Sequence, residues 1–110
     1  MLKKAKIAVL VSGGGTNLQA IIDAEKAGKI KHGSVTLVIS NNPDAYALTR
    51  AENSGIKNIA IDKKALKSHS EFEEILIDTL KKHEIDLIVL AGFMSILTEN
   101  FTSLFKVILP

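Results

Sequence analysis

Short continuous apolar runs alternate with segments of helical spacing along the whole chain, and this alternation sets the tightest limit on the fold. The runs Ile7–Val11, Val35–Ile39, Asn58–Ile61 and Leu87–Ala91 are rich in Val, Ile and Leu. They lack the polar alternation of a half-exposed strand, as strands buried on both faces of a parallel sheet do. Helix signals lie between them. Leu18, Ile21 and Ile22 share a helical face, opened by the capping-box pattern Thr16-Asn17-Leu18-Gln19 and closed by Gly28. Asn42-Pro43 predicts an N-cap followed by proline at the first helical position, with a stop near Gly55. A third helix is expected to open at Ser70, with Glu73 three residues on, and to place Phe72, Ile75, Leu76 and Leu80 on one face. Lys81, Lys82 and His83 end it, where the helix dipole favours cations. A short fourth helix is expected from Thr98 to Phe105, and Lys106–Pro110 opens a fifth apolar run. The order β-α-β-α-β-α-β-α-β implies right-handed crossovers. The fold class is therefore α/β, a Rossmann-like open and mainly parallel sheet with helices on both faces.

Composition limits what such a sheet does. With 110 residues, 46% of them hydrophobic, the chain suits a single domain spanning residues 1–110, and no repeat, low-complexity tract or linker interrupts it. A chain of this size buries roughly 65% of its unfolded surface without staples. The absence of cysteine excludes disulfides and thiolate metal sites and fits a reducing cytoplasm. No residue is assigned to a metal. Fourteen basic and twelve acidic residues leave a net charge of +2, and the lysines are scattered, so a nucleic-acid partner is not expected. No apolar stretch reaches the ~18 residues of a membrane span, and the run after Met1–Lys6 is too short for a signal peptide. A soluble cytoplasmic protein is expected. The chain ends at KVILP, in the opening of a strand with no cap behind it. Either the sequence is truncated at the fifth strand, or a partner covers an apolar edge, for instance a second copy in a homo-oligomer.

The most informative local feature is VSGGGTNLQA, Val11–Ala20. Ligands of open parallel sheets bind beyond the carboxyl ends of the strands, and Gly13-Gly14-Gly15 occupies that end of the first strand. Glycine permits positive φ and close backbone approach. The free N–H groups of a helix start, with the dipole behind them, attract anions. A phosphate there would accept hydrogen bonds from the amides around Gly15, Thr16 and Asn17, and the last two side chains add donors. The alternative is a plain tight turn, with Thr16 capping the helix.

Other phosphate ligands fit less well. Gly13 and Gly15 match the start of G-x-G-x-x-G, but Leu18 takes the third glycine position and the second strand ends Ser40-Asn41-Asn42 without an acidic residue. A dinucleotide-dependent oxidoreductase thus lacks two of its three supports. No Walker A loop is present. Leu10 stands where a hydrolase elbow around Ser12 needs glycine. A small phosphorylated substrate remains.

Three stretches together resemble phosphoribosylglycinamide (GAR) formyltransferases. VSGGGTNLQAIIDA resembles their phosphate loop. SNNPDAYALTRAENSGI is similar to their second strand and helix, with the pattern S-N-x-x-D-A-x-G-L-x-R-A. DLIVLAGFMSIL is similar to D-x-x-V-L-A-G-F-M-R-I-L, part of their folate site. The resemblance covers nearly the whole chain and about the first half of a family member. It implies transfer of a formyl group from 10-formyltetrahydrofolate, the co-substrate, to the amine of glycinamide ribonucleotide in purine synthesis. It further implies that Gly14, Gly15, Thr16 and Asn17 hold the 5′-phosphate and that Met94, Ile96 and Leu97 line the pterin pocket. Gly15→Val is then expected to fill the anion site and abolish binding while the sheet stays folded.

The chain departs from the family at several positions. Ser95 replaces the usual arginine and removes a cationic contact near the folate. His69 stands where many members have arginine; it is read as a solvent-exposed residue of the helix start, with donation to the folate tail as the alternative. Ala47 replaces a glycine, a mild change inside a helix, and His32 and His83 look uninvolved. The N-x-H-P-S motif, whose asparagine and histidine stabilise the tetrahedral oxyanion in the family, does not occur in the 110 residues. No catalytic residue is therefore assigned, and the chain alone is expected to bind weakly and not to catalyse. The alternative reading is a non-catalytic phosphate- or nucleotide-binding module or regulatory fragment.

Overall fold

The computed structural model describes residues 4–108. The chain runs β1 (Ala5–Val11), α1 (Thr16–Lys26), β2 (Gly33–Ser40), α2 (Tyr46–Asn53), β3 (Lys57–Ala60), a 3₁₀ turn at Lys63–Ala65, α3 (His69–Lys82), β4 (Leu87–Leu90), α4 (Glu99–Leu104) and β5 (Lys106–Ile108). The five strands form one sheet in the order β3-β2-β1-β4-β5, and every pairing is parallel. The expected α/β architecture is thus the observed one. The last two residues of the fifth apolar run, Leu109 and Pro110, lie outside the described residues.

Alternation along the buried strands divides the core between the two faces. Ala8, Leu10, Leu37, Ile39 and Ile88 face α3 and α4 and pack with Phe72, Leu76, Leu80 and Phe101. Ile7, Val9, Val11, Val35 and Val38 face α1 and α2 and pack with Leu18, Ile22, Ala47 and Ala51. Complete burial of each large side chain contributes roughly 1.5–3 kcal/mol. The β1–β2 register shifts between Ile7 and Ala8, which pair with Val35 and Leu37. This bulge leaves Thr36 exposed and keeps Val35 and Val38 on one face. Among the described residues, no helix is long and apolar enough to cross a membrane.

Three helices begin elsewhere than the local signals indicate. The N-cap of α1 is Gly15, not Thr16, so Thr16 is the first helical residue and the capping box does not form. The Gln19 side chain instead donates to Asp23 and accepts from Arg50. Asn42 does not cap α2. Its Oδ1 accepts from the Asp44 amide in a turn that precedes the helix, and Ala45 is the N-cap. Ser68, not Ser70, caps α3: its Oγ accepts from the Glu71 amide, while a Glu71 oxygen accepts from the Lys67 amide. Phe72, Glu73, Leu76 and Leu80 are buried, and Ile75, expected on the apolar face, is 38% exposed. The fourth helix, expected over Thr98–Phe105, runs from Glu99 to Leu104 with Thr98 as its N-cap.

Candidate functional site

Beside β1 the strand order reverses, which opens a crevice beyond the carboxyl ends of β1 and β4. The glycine loop fills one side of it. Its carbonyls are engaged by α2: Gly13 O accepts from the Ala47 amide at 3.1 Å, and Gly14 O accepts from Arg50 Nε at 2.7 Å. Arg50 lies over the Tyr46 ring, 5.1 Å from its centroid, and also donates to Gln19 Oε1 at 3.3 Å. The first α1 hydrogen bond runs from the Gln19 amide to Gly15 O at 2.8 Å. Among the described residues, the amides of Gly14, Gly15, Thr16 and Asn17 find no backbone acceptor, and no side chain caps the helix. The helices α3 and α4 have serine and threonine caps, whereas α2, like α1, has no side-chain cap. The donors and the positive dipole end at the start of α1 are thus not engaged by a backbone acceptor or a capping side chain among the described residues.

The three glycines serve different ends. Gly15 has φ 81°, and a Cβ placed on it would come within 2.7 Å of Ala47 Cβ. This corrects the expectation for Gly15→Val: the added side chain would strike α2 rather than fill an anion site. The small residue at 47 is likewise part of a close loop–helix contact. Gly13 and Gly14 meet nothing within 4 Å and have no left-handed φ. Their missing side chains answer to no neighbour in the fold, so they leave the loop open on that side.

The other side of the crevice is the segment 92–98, opened by Gly92 at φ 72°. The Met94 amide donates to Ser12 Oγ at 2.7 Å, which ties this segment directly to the glycine loop. Lys63 Nζ donates to Ser95 Oγ at 3.2 Å. Met94 and Ile96 are 78% and 80% exposed, whereas Leu97 packs partly against the α3-side core. A hollow of about 320 Å³ is lined by Ser12, Asn41, Asn42, Asp62, Lys63, Lys64 and Met94. A more apolar one of about 420 Å³ is lined by Leu90, Ser95, Leu97, Thr102 and Val107. Met94 and Leu97 thus border different hollows, and Ile96 borders neither.

His69 is not a freely solvated residue. It is half-buried, its ring stacks on Phe72 at 6.1 Å, and its Nε2 lies 3.5 Å from Glu73 Oε2. Ser12, Arg50 and Lys63 also hold the site together, with contacts that were not expected from the sequence. Arg50 matches the arginine of the second-helix pattern, so its signal was present; the partners of Ser12 and Lys63 are 82 and 32 residues away, beyond any local pattern.

Comparison with known proteins places this geometry. The formyl transferase family model matches residues 5–109. The phosphoribosylglycinamide formyltransferase of Haemophilus influenzae is 47% identical over 100 residues, covering 91% of this chain and 47% of the relative. That of Escherichia coli is 46% identical over 97 residues, 88% of this chain and 45% of the relative. The solved phosphoribosylglycinamide formyltransferase of Coxiella burnetii superposes with a TM-score of 0.90 at 40% identity, over 97% of this chain and 51% of the other. The chain spans about half the length of the curated relatives it matches. With the family model covering nearly all of it, and the same sheet found in the solved relative, the chain belongs to the formyl transferase family.

Proposed function

We propose that residues 1–110 act as the N-terminal, nucleotide-binding-like domain of a cytoplasmic glycinamide ribonucleotide formyltransferase. Gly14, Gly15, Thr16 and Asn17 bind the 5′-phosphate of the ribonucleotide through their amides and the Thr16 and Asn17 side chains. Met94, Ile96 and Leu97 meet the 10-formyltetrahydrofolate co-substrate. The reading rests chiefly on the uncapped start of α1, where a row of backbone donors has no acceptor beside two glycines that no packing requires. The Ser12–Met94 bond sets the two ligand loops side by side. Amine and formyl group would then meet without the entropy cost of a free encounter. The 110 residues contain no N-x-H-P-S segment, so the oxyanion donors of the reaction are not among them. The chain by itself is expected to bind substrate weakly and to transfer no formyl group. Any self-association through the β5 edge belongs to the same proposal.

Gly14→Val tests the phosphate loop. A Cβ at Gly14 meets no atom within 4 Å, so the fold should tolerate it while the cradle does not. Isothermal titration with glycinamide ribonucleotide is expected to show at least tenfold weaker binding, with thermal unfolding little changed. Unchanged affinity would remove the loop from the site.

A further inference from the structure

Glu73 is 5% exposed and is the one buried acidic or basic residue among the described residues. Its neighbours on the inner face of α3 are Phe72, Leu76 and Leu80, so packing alone asks for another apolar side chain. A buried carboxylate is costly unless its oxygens are hydrogen-bonded, and an apolar replacement of similar volume is often the more stable choice. Both oxygens of Glu73 accept from Thr98, and Oε2 also lies 3.5 Å from His69 Nε2. Oε2 accepts from the Thr98 amide at 3.0 Å, and Oε1 accepts from the Thr98 hydroxyl. Thr98 in turn caps α4 through the Phe101 amide at 3.4 Å. The carboxylate thus grips the far end of segment 92–98, whose near end is held by Ser12 through the Met94 amide. Between these two fixed points lie Ser95, Ile96 and Leu97.

We infer that Glu73 is a positioning residue: through Thr98 it holds segment 94–97 in the arrangement that meets the folate-type ligand, without touching that ligand itself. This rests on the reading of that segment given above. Glu73→Leu removes both Thr98 bonds and the His69 contact and keeps the volume, whereas Glu73→Gln keeps an acceptor for the Thr98 amide. With the full chain, amide hydrogen exchange at Thr98 and Phe101 is expected to accelerate at least tenfold in Glu73→Leu. Tetrahydrofolate binding, followed by fluorescence, should weaken at least tenfold while glycinamide ribonucleotide binding stays unchanged, and Glu73→Gln should recover most of both losses. Should Glu73→Leu fail to fold, Thr98→Val, which deletes only the hydroxyl, is expected to weaken tetrahydrofolate binding about threefold. Equal losses for both ligands, no recovery in Glu73→Gln, or unchanged exchange at Thr98 would overturn the inference. A wild-type chain that ignores tetrahydrofolate would instead count against the functional reading, and the exchange measurement would still decide whether Glu73 fixes the segment.

Discussion

Residues 12–17 and residues 92–98 lie next to each other at the carboxyl edge of the sheet, yet they are held by different means. The glycine loop is fastened through its own carbonyls, by the Ala47 amide and Arg50 Nε of α2, and its amides are left over. Segment 92–98 is fastened by side chains reaching in from three other places, Ser12, Lys63 and Glu73, and it exposes Met94 and Ile96. What the first loop offers a ligand is therefore set by backbone conformation, and what the second offers is set by side-chain identity. A phosphate needs little beyond well-aimed N–H groups, while an aromatic ring system needs apolar surface. The first loop should be sensitive to changes in main-chain geometry, the second to loss of a side chain.

The largest effect is expected from Gly15→Val. A left-handed φ for a β-branched residue and the collision with Ala47 together cost about 3 kcal/mol. Urea unfolding should show that loss; a change below about 1 kcal/mol would mean that the loop does not depend on its tight seat against α2. Arg50→Ala comes next. It removes a charged donor from Gly14 O, and a loss of about 1.5 kcal/mol is expected on thermal unfolding. Faster exchange of the Ala47 and Gln19 amides, which bond to Gly13 O and Gly15 O, should accompany it, and exchange as slow as in the wild type would show the loop to be self-supporting. Ile96→Ser should matter least to the fold. At so exposed a position stability should stay within about 0.5 kcal/mol, while tetrahydrofolate binding weakens several-fold. A matching fall in stability would show that Ile96 is packed in solution, and the contrast between the loops would lose one side.

The fold was readable because each strand carries its own signal. Runs such as Ile7–Val11 and Leu87–Ala91 are apolar on both faces, and the turn residues between them leave few topologies. Helix starts were less readable, since short polar side chains offer competing turns. Ser68-x-x-Glu71 and Ser70-x-x-Glu73 are both capping boxes on paper, two residues apart. The first forms, and Glu73, not used to close a capping box with Ser70, instead reaches Thr98, 25 residues on. Asn42 likewise completes a local turn with Asp44 before α2 can begin. At the candidate site the glycines were visible, but not their separate duties. Gly15 owes its identity to Ala47, and Gly14 O meets an arginine 36 residues away. No spacing rule carries information over such distances.

The decisive measurement is a titration of the isotopically labelled full chain with glycinamide ribonucleotide, followed by the backbone amide resonances. Saturable shifts are expected, centred on Gly14, Gly15, Thr16 and Asn17, with the amides of the Lys63–Ala65 turn unmoved. Shifts centred on that turn, or a glycine loop that does not respond while ligand binds elsewhere, would contradict a phosphate site at the glycine loop.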